Sequence, residues 1–150
     1  MRARSCAILC TVTRRPAALL ALLAVLGGST AAVAATGPRL QIGTRGPDVL
    51  VGGPGRDRIL GRGGADRIRG RAGADILNGG PGNDVVFGDA GNDLIIGGPG
   101  QDTLLGGAGN DVIRARDGFA DTISCGAGRD RVIADALDVV AGDCEVVRRG

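Results

Sequence analysis

Residues 79–87 read Gly-Gly-Pro-Gly-Asn-Asp-Val-Val-Phe, and residues 106–114 read Gly-Gly-Ala-Gly-Asn-Asp-Val-Ile-Arg. Units of this nine-residue form follow one another without a gap from residue 43 to residue 114. Glycine opens each of the eight units and returns at the fourth place. The sixth place is always aspartate, at Asp48, Asp57, Asp66, Asp75, Asp84, Asp93, Asp102 and Asp111. The eighth place is always aliphatic, at Leu50, Ile59, Ile68, Leu77, Val86, Ile95, Leu104 and Ile113. A fixed period of this kind indicates a repeat architecture.

Each unit predicts a turn followed by a short strand. Glycine in the first six residues favours positive φ or a close backbone approach, which is typical of a turn. The last three residues are mostly β-branched or leucine, so they predict a strand whose eighth-place side chain faces inward. A three-residue strand is not stable alone and must stack on its neighbours, which predicts an all-β, parallel β-solenoid. Collagen is excluded because its period is three, and disorder because the aliphatic place is kept so regularly.

Stacking would place the sixth-place aspartates in columns, with layers about 4.8 Å apart. Two carboxylates at this separation repel by about 3 kcal/mol at an effective dielectric constant of about 20. A cation between layers removes that repulsion, and carboxylate and carbonyl oxygens suit Ca²⁺ better than Mg²⁺, zinc or copper. The alternative is that aspartate only caps the turns. We favour calcium, and we predict that it is required for folding because each layer has few core side chains.

The pattern G-G-x-G-x-D-x-U-x, with U aliphatic, resembles the calcium-binding nonapeptide of the haemolysin-type (RTX) family. The two units quoted above match it at every defined place. The resemblance implies a right-handed parallel β-roll with two units per layer and Ca²⁺ bound between units two apart. One column would contain Asp48, Asp66, Asp84 and Asp102, and the other would contain Asp57, Asp75, Asp93 and Asp111. Three sites per column give about six calcium ions.

Some repeats depart from the family pattern. Thr44, Arg62, Arg71 and Asp89 replace the second-place glycine. Arginine is frequent in the second to fourth units, so weaker binding is expected nearest Asp48, Asp57 and Asp66. The unit at residues 115–124 has one extra residue, and the next unit restores the spacing. Asp121 and Asp130 are therefore candidate ligands in a fifth layer, which would raise the count from six toward eight ions.

Residues 1–35 predict a secretory signal peptide. Basic residues precede an apolar run at residues 17–26, and small residues follow it, so cleavage is expected after Ala34 or Ala35. The alternative is an uncleaved anchor, but a membrane span needs about 20 apolar residues. We therefore expect a secreted protein without a transmembrane segment. Removal takes 4 of the 18 arginines and none of the 16 acidic residues, so the net charge changes from +2 to −2 and a nucleic-acid partner is not expected.

The remaining organisation follows from where the period begins and ends. Residues 36–42 are a short lead-in, residues 43–133 are the repeats, and residues 134–150 are a C-terminal cap for the exposed strand edges. Cys125 and Cys144 are the two cysteines that remain after the signal segment, and an exported protein favours a disulfide between them. Free thiols and metal ligation are the alternatives.

The composition bears on function. Histidine and lysine are absent, which removes the commonest general bases and amine nucleophiles, so an enzyme is not expected. The expected function is a secreted, calcium-binding structural or interaction module. The alternative is a calcium-dependent cell-surface adhesin, or a matrix component that binds acidic polysaccharide through a basic face. That face would contain Arg45, Arg56, Arg58, Arg62, Arg67, Arg69 and Arg71, which otherwise form a solvated surface.

Overall fold

The computed structural model describes residues 37–150, which contain thirteen β-strands and no helix. The strands are β1 (Arg39–Ile42), β2 (Val49–Val51), β3 (Asp57–Leu60), β4 (Arg67–Ala72), β5 (Ile76–Asn78), β6 (Val85–Ala90), β7 (Leu94–Ile96), β8 (Thr103–Ala108), β9 (Val112–Arg114), β10 (Thr122–Ala127), β11 (Arg131–Ala134), β12 (Val139–Val140) and β13 (Val146–Arg149). The predicted signal peptide and its cleavage at Ala34 or Ala35 lie outside the described residues. Within residues 37–150, no helix is long and apolar enough to cross a membrane.

Consecutive strands alternate between two parallel sheets. The odd sheet contains the seven odd-numbered strands from β1 to β13, and the even sheet contains the six even-numbered strands from β2 to β12. Leu94 in β7 pairs with Val112 in β9, and Val85 in β6 pairs with Thr103 in β8, so one layer spans 18 residues, or two units. This arrangement is a β-solenoid of about six turns, which confirms the predicted all-β parallel fold with two units per layer. Its right-handedness stays a prediction.

The interior contains two columns of aliphatic side chains, one from each sheet. The eighth-place residues from Ile59 to Ile113 are fully buried, and Ile123 and Val132 continue the two columns. Leu50, in the first layer, is only half-buried because no layer of repeats lies before it. Each burial stabilises the fold by about 2 kcal/mol. The predicted core positions are confirmed.

Strand length differs from the prediction in the even sheet. Strands β2, β5 and β7 have three residues, as expected, but β4, β6, β8 and β10 have six. The longer strands continue through the first three places of the next unit, where Ala90 in β6 pairs with Ala108 in β8. After β2, β5 and β7 the third place is proline, which has no N–H to donate to a ladder; after β9, which also has three residues, the third place is Asp117. The prediction of a six-residue turn in every unit is therefore wrong where alanine stands at the third place.

Strands on either side of the repeats extend the two sheets. The lead-in forms β1, which pairs with β3, and the C-terminal segment supplies β12 and β13, which pair with β10 and β11. The segment predicted as a cap thus adds one more strand to each sheet. The predicted disulfide is present between Cys125 and Cys144, whose Cα atoms are 5.2 Å apart. It joins the interior of the last repeat layer to the C-terminal segment.

Candidate metal centres

Two columns of aspartates run along the solenoid, one on each side. The backbone N–H of Asp66 donates to Oδ1 of Asp84, 18 residues on, with 2.7 Å between nitrogen and oxygen. In the second column, the N–H of Asp75 donates to Oδ1 of Asp93 at 2.8 Å. The same bond links every neighbouring pair from Asp48 to Asp102 and from Asp57 to Asp111. The structure therefore brings the eight sixth-place aspartates together in the two predicted columns.

The columns continue beyond the regular repeats. The N–H of Asp102 donates to Oδ1 of Asp121, and that of Asp111 donates to Oδ1 of Asp130, each at 2.8 Å. These pairs are 19 residues apart, so the extra residue of the unit at 115–124 is accommodated without breaking either column. Both Asp121 and Asp130 are 1% exposed, as buried as the regular aspartates.

Two acidic residues end the columns, and the sequence analysis missed both. Asp138 Oδ1 accepts the N–H of Asp121 at 3.0 Å, and Glu145 Oε2 accepts the N–H of Asp130 at 2.7 Å. They lie 17 and 15 residues beyond their donors. Because neither separation fits the period, periodicity alone could not identify them.

The second carboxylate oxygen, Oδ2, is buried without a hydrogen-bond partner in eight of these aspartates. They are Asp66, Asp75, Asp84, Asp93, Asp102, Asp111, Asp121 and Asp130. A buried carboxylate oxygen without a partner is costly, and in native proteins such atoms are nearly always satisfied. Eight of them in two regular columns fit a site that binds cations.

The first-place glycines leave space beside these oxygens. A Cβ atom at Gly70 would lie 2.5 Å from Asp75 Oδ2 and 2.8 Å from the carbonyl oxygen of Gly88, in the next layer. The same two kinds of oxygen would contact a Cβ at Gly61, Gly79, Gly88 and Gly106, and the carboxylate alone is closest at Gly97. Carboxylate and carbonyl oxygens are the hard ligands that Ca²⁺ prefers. The donor atoms therefore fit calcium.

The conformation at the second place separates the first two units from the next six. In the first layer, the N–H groups of Thr44 and Gly53 donate to Oδ2 of Asp48 and Asp57, at 2.6 and 2.5 Å. In the next six units the second-place residue has a φ between 73° and 114°, and Oδ2 has no partner. These residues are Arg62, Arg71, Gly80, Asp89, Gly98 and Gly107. Asp48 and Asp57 are thus less suited to bind an ion, whereas Asp66 resembles the later aspartates.

The last two units differ at the first place. Cys125 takes the position of Gly106, since its neighbours Ser124 and Gly126 pair with Leu105 and Gly107. Ala115 N–H donates to the Ile133 carbonyl, as Gly97 N–H does to the Arg114 carbonyl one layer earlier. Both side chains are buried, so a Cβ atom stands where the earlier layers have space. Asp121 and Asp130 therefore have a free Oδ2 but lack the glycine space.

Burial raises the pKa of six of the column carboxyls above the ordinary value. It raises the pKa of Asp93, Asp102 and Asp121 to about 7, with the neighbouring carboxylates adding to the effect and a backbone hydrogen bond opposing it. The pKa values of Asp75, Asp84 and Asp111 are raised for the same main reason. Without a cation, Asp93, Asp102 and Asp121 therefore bind protons at a higher pH than an ordinary carboxyl does.

A ladder of asparagines at the fifth place supports the turns. Asn83 Oδ1 accepts the N–H of Gln101 at 3.0 Å, and Asn92 Oδ1 accepts the N–H of Asn110 at 2.8 Å. Asn110 Oδ1 in turn accepts the N–H of Arg129 at 2.9 Å. The sequence analysis missed this ladder, although asparagine precedes the aspartate in these three units.

The predicted basic face is divided between two sheets and the turns. All seven arginines are exposed, but Arg58 lies in β3 of the odd sheet, while Arg67, Arg69 and Arg71 lie in β4 of the even sheet. Arg69 is bound to the carboxylate of Asp89, and the guanidinium of Arg67 lies 5.0 Å from the centre of the Phe87 ring. The prediction of a single basic face is therefore wrong, because successive strands belong to opposite sheets.

These features define a class of protein, the parallel β-solenoid with aspartate columns suited to calcium. Residues 42–77, 60–95 and 78–113 each match the RTX calcium-binding nonapeptide repeat (4 copies), so the chain contains repeats of that family. Repeats of this family bind calcium. Comparison with curated proteins gives no match.

Proposed function

We propose that this protein is a secreted structural or interaction module whose solenoid is held together by calcium ions. The observation that carries the proposal is the set of eight buried Oδ2 atoms without hydrogen-bond partners, arranged in two columns. Calcium between layers would neutralise the carboxylates and satisfy these atoms at once. The Cys125 and Cys144 sulfurs are bonded to each other, so they are not available to the ion.

Six principal sites follow from the glycine spaces. Their Oδ2 donors would be Asp66, Asp75, Asp84, Asp93, Asp102 and Asp111, which have glycine at the first place. Asp121 and Asp130 would hold two further, weaker ions, because Ala115 and Cys125 occupy the corresponding spaces. The expected count is thus six to eight ions. Compared with the sequence prediction, the principal sites move one layer toward the C-terminus, since Asp48 and Asp57 are engaged by backbone N–H groups.

Calcium is also proposed to drive folding. Each column forces carboxylates together in the interior, and their raised pKa values show that burial disfavours the charged form. The calcium-free chain at neutral pH is therefore expected to lose the solenoid, and the ion-binding free energy becomes folding free energy.

A calcium titration tests both parts of the proposal. Calorimetry on the calcium-free protein should give six to eight ions, and circular dichroism should change from a disordered to a β spectrum. Asp84→Asn should remove one ion from the count. Asp89→Asn is the matched control, because Asp89 lies outside the columns at a positive φ that asparagine tolerates. Fewer than about four ions, or a β spectrum that calcium removal leaves unchanged, would contradict the proposal.

Secretion and a structural, non-enzymatic role complete the proposal. RTX repeat solenoids are generally structural rather than enzymatic. The alternative function is a calcium-dependent adhesin that binds acidic polysaccharide, and the exposure of all seven early arginines favours it. The adhesin is the second candidate because those arginines do not share a face. Retention of the calcium-loaded protein on alginate, and loss of retention in an Arg45→Gln/Arg62→Gln variant, would support it.

A further inference from the structure

The outward surface of the odd sheet, here called the odd face, is not used by the calcium columns. Strand register places its side chains in two rows of seven, which run from Leu40 to Val146 and from Ile42 to Arg148. The residues between these rows, such as Leu77 and Ile95, are fully buried, so the two rows point outward.

The centre of the odd face is aliphatic and partly open to solvent. Nine of its fourteen outward positions are leucine, isoleucine or valine, and none is aromatic. The central group is Leu60, Ile76, Leu94, Ile96, Val112 and Ile133. Ile76 is 37% exposed, and Leu40 at the N-terminal end is 64% exposed. An open apolar face on a soluble fold marks a binding surface.

All the charge on the odd face is positive. Four of the five remaining outward positions are Arg58, Arg114, Arg131 and Arg148, the fifth is Asn78, and no position is acidic. Arg58 lies on the N-terminal side of the aliphatic centre, and the other three lie on the C-terminal side. None of the four makes an ion pair with another residue of the described chain, 37–150.

The even sheet differs, because several of its outward polar groups have partners. Arg69 binds Asp89, Arg67 lies over Phe87, and Ser124 Oγ donates to Asp143 Oδ2 at 2.8 Å. Threonine also replaces aliphatic residues there, at Thr103 and Thr122. The continuous aliphatic centre is therefore a feature of the odd face alone.

A groove of about 340 Å³ lies where the odd face meets the adjoining turns, and its lining includes Ile96, Arg114 and Ile133 of that face. Asp117 is at its rim, but both of its carboxylate oxygens are engaged, one by Gly100 N–H and the other by Phe119 N–H. The groove therefore presents apolar surface and the guanidinium groups of Arg114 and Arg116 to a ligand.

We propose that the odd face docks on an anionic lipid bilayer. Aliphatic side chains beside arginines bind such surfaces through apolar burial and attraction to acidic headgroups. A second copy of the same face is a poor partner, because its arginines would oppose arginines without a carboxylate between them. A specific protein partner is less suited too, since interface hot spots are enriched in aromatic residues and this face has none.

Vesicle binding by the calcium-loaded protein tests the proposal. The protein should co-sediment with vesicles of phosphatidylcholine mixed with phosphatidylglycerol, and not with phosphatidylcholine alone, at one calcium concentration. Arg114→Gln/Arg131→Gln should weaken binding by about thirty-fold, because each arginine near an anionic surface contributes about 1 kcal/mol. Arg45→Gln/Arg67→Gln, with neither residue on the odd face, is the matched control and should bind as the parent does.

A second pair of variants tests the apolar contribution. Leu94→Thr/Ile96→Thr on the odd face should weaken vesicle binding several-fold, whereas Val85→Thr/Leu105→Thr on the even sheet should not. Circular dichroism and calcium stoichiometry, measured on the same samples, separate this proposal from the calcium proposal. Failure of the folded protein to bind anionic vesicles would overturn the bilayer proposal. Equal losses of binding in the odd-face and even-sheet variants would also overturn it, as would retention on alginate without vesicle binding.

Discussion

At the scale of single residues, the second place of each unit is where the chain accepts backbone strain. Arg62, Arg71 and Asp89 have φ values of 80°, 81° and 73°, in the left-handed region that favours glycine. An L-residue other than glycine costs about 1 kcal/mol there. In the units of these three residues the Oδ2 atom of the sixth-place aspartate has no hydrogen-bond partner, so the strain accompanies a free Oδ2 atom.

We therefore expect Arg62→Gly to stabilise the calcium-loaded protein by about 1 kcal/mol, since glycine adopts this φ without strain. The measurement is the free energy of unfolding in denaturant at saturating calcium. Arg58→Gly is the control, because Arg58 lies in strand β3, where glycine is unfavourable. A loss of stability in Arg62→Gly equal to that in Arg58→Gly would contradict the expected role of the second place.

Substitution of a first-place glycine is expected to have the opposite effect on stability. In Gly79→Ala the new Cβ would meet Asp84 Oδ2 and the carbonyl oxygen of Gly97, which lies 2.7 Å from the ideal Cβ position. We expect a destabilisation of about 3 kcal/mol and the loss of one calcium ion, because the carboxylate must move. Gly142→Ala is the control, since its Cβ would meet nothing within 4 Å. Unchanged calcium stoichiometry in Gly79→Ala would show that the ion does not use this space.

At the scale of strands and columns, the nine-residue period predicted most of the architecture. Glycine, aspartate and aliphatic places each recur once per unit, so layer stacking alone aligns Asp66 with Asp84 and Ile95 with Ile113. Strand length in the even sheet was not predicted, because it depends on whether proline or alanine follows each strand. The column ends at Asp138 and Glu145 were not predictable either, since the chain there no longer follows the period.

The columns also predict how the calcium-free protein responds to pH. Burial raises the folded-state pKa of Asp93, Asp102 and Asp121 to about 7, above the ordinary value of 3.8. The folded state therefore binds more protons than the unfolded state between these values, and stability falls as pH rises from about 4 to about 7. We therefore expect calcium-free protein, prepared by dialysis, to have more β structure by circular dichroism at pH near 4.5 than at pH near 7.5, where the solenoid is lost.

Two other carboxyls limit how far the pH can be lowered in that measurement. Backbone hydrogen bonds lower the pKa of Asp135, and the hydrogen bond from Ser124 lowers that of Asp143. Their contribution is present above the ordinary carboxyl pKa and is lost only as pH falls through their lowered values. A β content that is equal at both pH values, or higher at neutral pH, would contradict the burial of charged columns without calcium.

At the scale of the whole molecule, the disulfide supports the end of the solenoid where the glycine spaces stop. It closes a sequence separation of 19 residues between Cys125 and Cys144. Loop closure of this length contributes about 3 kcal/mol. Cys125→Ala/Cys144→Ala should therefore lower the melting temperature of the calcium-loaded protein, and a reductant should do the same to the parent. An unchanged melting temperature in both experiments would show that the terminal strands are stable without the bond.

Alternation between two sheets also limits how such a chain can change length. A deletion of one nine-residue unit would move every later strand to the opposite sheet, so Arg114 and Ile133 would join the surface that now carries Thr103. A deletion of two units, or 18 residues, would return each later strand to its own sheet. Insertions and losses in descendants of this gene should therefore come in pairs of units wherever the two outer surfaces are under separate selection.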